Sequence, residues 1–407
     1  MSDACDALVV GAGVVGVTTA YALASRGLSV TLVDAAEEPG RGTSYANGAQ
    51  LSYIYTEALA SPGLLRNLPG LALALDPAFR LRPSFDPDFA RWILSFLRNC
   101  TESRFRSNTL EGLKLGLESR DAMYRMLERH PLKFGHTVSG KLHLLKGRRM
   151  VAAADELIQL KRQVGAEQAM ISPSEAARIE PALAARVTDL DAVVYSPQEE
   201  VGDPFLFCGA LVERLRAYYG VTTHFGLRVD RLHADGSGSS AVSADGRRIE
   251  ARRIVICTGV DTPRLLRAKG INVPIWPMKG YSFTADPGSE APSVSITDVA
   301  RKLVFCRLSG KIRVAGLADL GSRGSAINKR RLARLVGAAR SSLPRAADYS
   351  RINSAWAGLR PMTPSSLPII RREKNGMVLN VGHGALGWTY AMGAAERAAD
   401  LVTERQC

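Results

Sequence analysis

The sequence predicts an α/β protein in which a Rossmann-like dinucleotide-binding domain is combined with a second domain, and three observations carry that prediction. A short apolar strand over residues 7–10 runs into Gly11-Ala12-Gly13-Val14-Val15-Gly16, a G-x-G-x-x-G turn that opens a helix. A second apolar strand over 29–33 ends on an acid, Asp34. The chain of 407 residues exceeds what one hydrophobic core serves, so two domains, interleaved in sequence, are expected.

Each residue of the opening unit has a physical task. Gly11 makes the tight turn, Gly13 lets backbone approach a pyrophosphate, and Gly16 lets the helix pack against the strand. The helix over 14–26, in whose first turn Val15 stands and which Gly27 stops, offers free N–H groups and a positive dipole end to phosphate. Asp34 is placed to accept hydrogen bonds from a ribose 2′-OH. From 52 to 149 the pattern reads as helical, punctuated by prolines at 62, 69, 77, 83 and 87, and looks like an insertion. Helices are predicted over 150–164 and 204–219, and strands over 222–232 and 240–242 about a Gly/Ser-rich turn. A compact strand at 254–257 leads into Thr258-Gly259. Segments 281–284, 294–296, 303–307 and 312–315 have the turn-bounded look of antiparallel strands, and a last strand at 378–381 precedes a glycine-rich turn and a helix from about Gly387.

Composition narrows the function. Lysine and arginine number 53 against 39 acids, an excess of 14, which favours solubility and an anionic partner or surface. The basic residues are not interleaved with stacking aromatics, which are 6% of the chain, so nucleic acid is not an expected partner and RNA modification is a distant reading. No apolar run reaches the roughly 18 residues of a membrane span. Asp3, Asp6 and the glycines of the first strand-turn argue against a signal sequence. Six cysteines without C-x-x-C pairs and six histidines without ligand spacing imply no metal and reduced thiols in a cytoplasm.

The G-x-G-x-x-G unit alone does not separate NAD from FAD; two later segments do. The stretch from Arg41 to Gln50, with Ser44, Asn47, Gly48 and Gln50, is a small hydrogen-bonding loop suited to lie along an extended cofactor. Near the C-terminus, Gly382-His383-Gly384-Ala385-Leu386-Gly387-Trp388-Thr389 supplies a second glycine-rich helix start. Two helix N-termini suit a flavin dinucleotide: one serves the pyrophosphate, the other the flavin pyrimidine, where negative charge gathers on reduction.

Beyond these segments the chain resembles the bacterial D-amino acid dehydrogenases (small subunit type) of the D-amino acid oxidase superfamily. The resemblance rests on Gly11 to Val17, Thr43-Ser44 with Asn47 and Gln50, Leu97-Arg98-Asn99-Cys100, Gly202-Asp203, Pro277 with Lys279-Gly280-Tyr281-Ser282, Gly358-Leu359-Arg360-Pro361-Met362-Thr363-Pro364, and Gly382-His383-Gly384 with Leu386 to Thr389. It implies a glutathione-reductase-like FAD-binding domain over 1–60, 201–270 and 356–407, interleaved with an α+β substrate domain, built on an antiparallel sheet, over 61–200 and 271–355. It also implies that Val229 meets the adenine by its backbone, that Thr258 and Gly259 approach the pyrophosphate, and that Gly384, Leu386, Gly387, Trp388 and Thr389 serve the flavin.

For the substrate, Arg360 is the leading candidate, because a planar guanidinium binds a carboxylate bidentately and so orients the alpha carbon. Tyr281 is a second donor to that carboxylate, Tyr53 a candidate lid, and His383 and Lys279 candidates to face the flavin. The implied reaction is oxidation of a D-amino acid by hydride transfer from the alpha carbon to flavin N5, giving an imino acid that water converts to a 2-oxo acid and ammonia. FAD is expected to be non-covalent, since neither glycine-rich loop holds a cysteine. Electrons are expected to pass to a quinone or other respiratory acceptor, with docking on an anionic membrane surface through Leu64, Leu65, Leu68, Leu71, Leu73 and Leu75, flanked by Arg66, Arg80 and Arg82 and helped by Lys329, Arg330, Arg331 and Arg334. A glycine or sarcosine-type oxidase that uses oxygen is the nearest alternative, and a non-enzymatic flavin-binding scaffold a further one. The chain departs from the family at Ser365-Ser366, where Asp-Gly is expected, at Arg371, where glycine is, and at Glu199, where aspartate is.

Overall fold

The computed structural model describes residues 4–66, 76–82, 84–234, 238–322 and 324–404. In the first of its two main sheets, Val378–Val381, Arg248–Ile256, Cys5–Val10, Val30–Val33 and Thr222–His224 lie side by side in parallel. The hairpin Val229–Ala234 and Ser239–Ser243 extends this sheet from the start of Arg248–Ile256, and Ile369–Arg372 pairs antiparallel with Val378–Val381. Parallel strands are covered on both faces, and alternation along Cys5–Val10 shows it. Ala7 and Val9 enter a core with the helices Val14–Ala24, Pro204–Tyr219 and Gly387–Thr403, whereas Leu8 and Val10 enter another with Ile254, Leu265 and Ile275.

The second sheet has nine strands, in the order Ala347–Met362, Trp276–Pro287, Lys311–Leu320, Leu303–Leu308, Ser295–Asp298, Lys141–Leu145, Ala192–Ser196 and Ala169–Ile171, with Phe79–Leu81 beside Lys311–Leu320. All pairs are antiparallel except Ser295–Asp298 with Lys141–Leu145 and Phe79–Leu81 with Lys311–Leu320. Leu142, Leu144, Phe283, Phe305 and Val314 pack one face on Leu335 and Ala339 of the helix Lys329–Ser342. The opposite face looks toward the first sheet. Ala347–Met362 pairs with Trp276–Pro287 up to Met362, and the long helix Glu102–Arg129 lies on Gly387–Thr403, placing Ala122, Met123 and Met126 in the first core.

Several expectations change. Residues 52–149 are not wholly helical: Phe79–Leu81 and Lys141–Leu145 are strands. The strand expected over 222–232 is two strands at opposite edges of the first sheet, because the chain turns at Gly226 (φ +71°) and crosses over the end of Val30–Val33, where Leu227 N–H donates to the Asp34 carbonyl at 2.8 Å. Leu68, Leu71, Leu73 and Leu75 lie outside the described residues. Leu64 turns inward, whereas Leu65, Arg80 and Arg82 are exposed. Arg331 is no surface cation: it is 5% exposed, 2.5 Å from the Asp319 carboxylate, and donates to the Pro77 and Ala78 carbonyls. Among the described residues no helix is long and apolar enough to cross a membrane.

Candidate active site

A cavity of about 1250 Å³ runs between the two sheets. At one end stands the glycine turn. Gly11 has φ +105°, and a Cβ there would lie 2.5 Å from the Cys257 carbonyl oxygen; one on Gly16 would lie 1.7 Å from the Gly11 oxygen. Gly11, Gly13 and Val15 line the cavity, while Gly16 lies behind them as the helix-to-strand contact. Asp34 accepts from Ala12 N–H at 2.5 Å and Ala36 N–H at 2.8 Å, and burial, the dominant influence, still holds its pKa above the usual value. Val229, Thr258 and Gly259 line this same end.

The middle of the cavity is bounded by the segment from Ala46 to Ser52, laid across the inner face of the second sheet by a row of hydrogen bonds. Ser282 donates to the Ala46 carbonyl at 2.5 Å, the Cys306 thiol to the Gly48 carbonyl at 3.1 Å, Gln50 to Ser295 at 2.6 Å, and Lys141 to Ser52 at 2.6 Å. Gly48 permits this approach, because a Cβ would come within 3.1 Å of Val304. Asn47 accepts from Ala49 N–H at 2.8 Å and so shapes a turn in which Ala49 has φ +58°. Ser44 accepts from Val14 N–H at 3.0 Å. Ser44, Asn47, Gly48 and Gln50 all line the cavity, but the side chains of Ser44, Asn47 and Gln50 are engaged in shaping the loop.

At the far end, Gly384, Leu386, Gly387 and Trp388 line the cavity where the C-terminal helix begins, with no side chain capping it. Trp388 donates to the Gly202 carbonyl at 3.0 Å; Thr389 accepts from Ser52 N–H at 3.0 Å and does not reach the cavity, so it fixes the helix start from behind. His383 is 3% exposed, its Nε2 has no hydrogen-bond partner, and burial lowers its pKa to about 3, leaving a neutral ring on the wall.

Arg360 lies on the cavity wall opposite Met278 in the strand pair, and its guanidinium crosses Gly280: a Cβ there would be 2.4 Å from Nη2. Its Nη1 donates to the Leu317 carbonyl at 3.2 Å, and among the described residues no acid forms an ion pair with it. Burial lowers its pKa to about 10, partly offset by Asp319, so it remains a cation at neutral pH. A half-buried cation that no acid pairs directly among the described residues is a site for a carboxylate.

The other substrate candidates fare differently. Tyr281 touches the cavity, but its hydroxyl donates to Asp319 at 3.1 Å and burial raises its pKa to about 12, so the hydroxyl is engaged within the core. Tyr53 is not a lid. It is 1% exposed, absent from the main cavity, and donates to Glu200 at 3.3 Å, because the turn at 52–54 directs it away and presents Tyr55 instead. Lys279 also points away, donating to the Ala326 carbonyl. Of the departures, Ser366 lines the cavity with φ +68° where glycine is expected, and accepts from Leu59 N–H at 2.9 Å; Arg371 sits at the surface, paired with Glu373 at 2.8 Å.

One wall went unread in the sequence: Tyr55, Glu57, Lys141, His143, Lys161 and Gln168 all line the cavity. Lys141, His143 and Leu145 form the inner face of a strand whose Leu142 and Leu144 enter the core, so their alternation was the available signal.

The residues fit FAD. The space that Cβ atoms on Gly11 and Gly16 would fill is part of the phosphate turn, a carboxylate follows at the ribose position, and a helix starts at each end. Cys257 is the cysteine on the wall, and its thiol turns toward Thr19 with a pKa raised by burial to about 12. A thiol so held is a poor nucleophile. Acid or heat denaturation is therefore expected to release the yellow colour into the supernatant; colour on the precipitate would mean a covalent link.

Comparison with known proteins agrees with the geometry. Residues 6–401 match the DAO model, described as FAD dependent oxidoreductase. The chain is 40% identical to D-amino acid dehydrogenase 2 of Ralstonia nicotianae, covering 98% of this chain and 96% of that protein. It is 37% identical to D-amino acid dehydrogenase 2 of Pseudomonas aeruginosa, covering 98% and 94%. Among solved structures, glycine oxidase from Geobacillus kaustophilus has a TM-score of 0.74 at 19% identity, covering 99% of this chain and 95% of that one. An L-alpha-glycerophosphate oxidase from Mycoplasma pneumoniae, with FAD bound, has 0.76 at 17%, covering 99% and 96%. With the glycine turn, the acid after the second strand and both helix starts on one cavity, the chain belongs to the family of FAD-dependent oxidoreductases.

Proposed function

We propose that the protein oxidatively deaminates D-amino acids and passes the electrons to a respiratory acceptor such as a quinone. The observation that carries this reading is Arg360, a half-buried guanidinium on the cavity wall with no acid paired to it among the described residues, in a chain whose relatives along nearly its whole length are named D-amino acid dehydrogenases. Arg360 holds the substrate carboxylate and so fixes where the alpha carbon lies. Gly280 leaves the room its guanidinium occupies. His383, neutral and buried, excludes water and carries no charge to the reacting centre. FAD, when bound, supplies acceptance of the hydride. The test is a panel of D- and L-amino acids added under nitrogen, with bleaching by D-isomers the expected result; no bleaching by any member removes the assignment.

An oxidase reading has support from the fold shared with a glycine oxidase. Peroxide released in air at the rate of substrate consumption would favour it. Docking on an anionic membrane rests on exposed Leu65 and Phe85 near Arg80 and Arg82 in sequence. The expected result is sedimentation with anionic vesicles that weakens with salt; equal partition onto neutral vesicles, or none, removes the membrane.

A further inference from the structure

The strand Lys311–Leu320 changes neighbours part-way along. Up to Gly316 one of its edges pairs with Leu303–Leu308, which ends with Leu303 opposite Gly316, and from Ala318 it pairs with Phe79–Leu81. Its other edge pairs with Trp276–Pro287 on both sides of a register shift, where Lys279 faces Asp319 and Tyr281 faces Gly316. Three steps along Lys311–Leu320 thus answer two along Trp276–Pro287, which makes a β-bulge opposite Gly280. The shift is against the strand that carries Gly280, not against the two strands that exchange places. Leu317 sits in this bulge, with no register partner on any of the three neighbouring strands among the described residues.

Leu317 has φ +59°, whereas the other described non-glycine residues with positive φ, Ala49, Lys302, Ser309 and Ser366, all lie outside strands. For a leucine this conformation is uncommon, and it persists only where the surroundings over-determine it. Here they do. The side chain is 4% exposed and belongs to the core cluster of Tyr281 and Leu335. Gly316 before it is pinned as well, since a Cβ there would lie 2.8 Å from the Lys302 carbonyl oxygen. The consequence appears at the Leu317 carbonyl, which accepts from Arg360 Nη1 at 3.2 Å. On its other side the guanidinium crosses Gly280, where a Cβ would come within 2.6 Å of Arg360 Cζ. A carbonyl orients a cation without cancelling its charge. The nearby acid, Asp319, is held instead by Arg331 at 2.5 Å and by the Tyr281 hydroxyl at 3.1 Å.

We propose that Leu317 is a positioning residue for the substrate carboxylate: the bulge turns its carbonyl onto Arg360 and so sets the plane of the guanidinium fork. This rests on the reading of the protein as an amino acid dehydrogenase in which Arg360 holds that carboxylate. A planar fork meets a carboxylate bidentately only when the two lie nearly in one plane. A guanidinium that rotates therefore keeps its charge and loses one of the two hydrogen bonds. Leucine contributes through the backbone: packing in the core holds φ at +59°, and that φ aims the carbonyl. A residue that accepts the left-handed region keeps the aim, and one that resists it does not.

The test compares Leu317→Val with Leu317→Gly in the FAD-loaded protein. Valine keeps much of the apolar volume but, being β-branched, resists φ +59°; glycine accepts that φ and gives up the packing. Two quantities are read: KM and kcat for a D-amino acid, and the Kd of benzoate, a carboxylate with no alpha hydrogen to lose, by calorimetry. In Leu317→Val both KM and the benzoate Kd are expected to rise about 10-fold with flavin content unchanged, the scale of a lost hydrogen bond to a charged group. Leu317→Gly is expected to lower Tm through lost packing while binding benzoate as the parent does. Parental affinity in Leu317→Val, or an equal loss in both variants, overturns the proposal, because binding then does not follow the backbone conformation. Should Leu317→Val fail to fold, Leu317→Ala against Leu317→Gly decides, since both lose the packing and only alanine resists the left-handed region. Weaker benzoate binding in the alanine variant alone is then expected, and equal binding overturns the proposal. Failure of every D-amino acid to bleach the parent counts against the proposed function, and benzoate still reads the fork. A parent that binds no benzoate overturns the positioning role itself.

Discussion

Arg360→Ala is expected to retain FAD and to lower kcat/KM for a D-amino acid by about 2–5 kcal/mol, roughly 30-fold to several thousand-fold, as when one partner of a buried charged pair is removed. Arg360 lies on the cavity wall, where among the described residues the Leu317 carbonyl accepts from it at 3.2 Å and Asp319 offsets its charge only in part, so a carboxylate arriving there meets a cation with no ion-pair partner. Arg360→Lys should recover part of the loss, because an ammonium keeps the charge and lacks the planar fork. Gly280→Ala provides a second route to the same defect, since its Cβ would fall 2.4 Å from Nη2 and displace the guanidinium without removing its charge from the protein. Steady-state kinetics with flavin content measured in parallel checks the set. Normal turnover in Arg360→Ala would place the carboxylate elsewhere.

The parts of this site legible in sequence are those where backbone chemistry forces a residue type. Gly11 and Gly16 had to be glycine because any Cβ meets a carbonyl, and the strand before and helix after them follow. The roles of Ser44, Asn47 and Gln50 were less legible: a polar residue beside a cofactor path can face the cofactor or brace the loop, and only the positions of Val14, Ala49 and Ser295 decide. Tyr53 and Tyr55 show the same limit, since a two-residue change of direction exchanges core for cavity. Lys141–Leu145 was missed because lysine and histidine alternating with leucine reads as a polar, solvent-facing side. Here that side faces an internal cavity, and Lys141 and His143 are both buried. Polar lining of a cavity and polar surface have one sequence signature, and tertiary structure alone tells them apart.

Gly16→Ala is expected to be the most damaging single-methyl change in the cofactor domain. The added carbon would lie 1.7 Å from the Gly11 carbonyl oxygen and 3.3 Å from the Cys257 side chain, so helix and strand must part. The turn cannot yield in the other direction, because Gly11 already lies so close to Cys257 that its own Cβ would come within 2.5 Å of that carbonyl. Forcing a methyl into such a contact costs about 1–3 kcal/mol or more. Loss of FAD removes about 2.7 kcal/mol further if free cofactor stands near 100 times its Kd. Gly13→Ala separates the two effects. Its Cβ would stand 3.5 Å from the Ser44 hydroxyl, an ordinary contact, so the polypeptide accommodates it while the cavity side, where a pyrophosphate must approach, is obstructed. Gly13→Ala should therefore weaken FAD binding with the apoprotein Tm nearly unchanged, whereas Gly16→Ala should lower the apoprotein Tm as well. Flavin absorbance per polypeptide and melting of FAD-stripped protein read both quantities. A Gly16→Ala protein that keeps its flavin and melts with the parent would show that the helix does not rest on that turn as closely as the 1.7 Å approach requires.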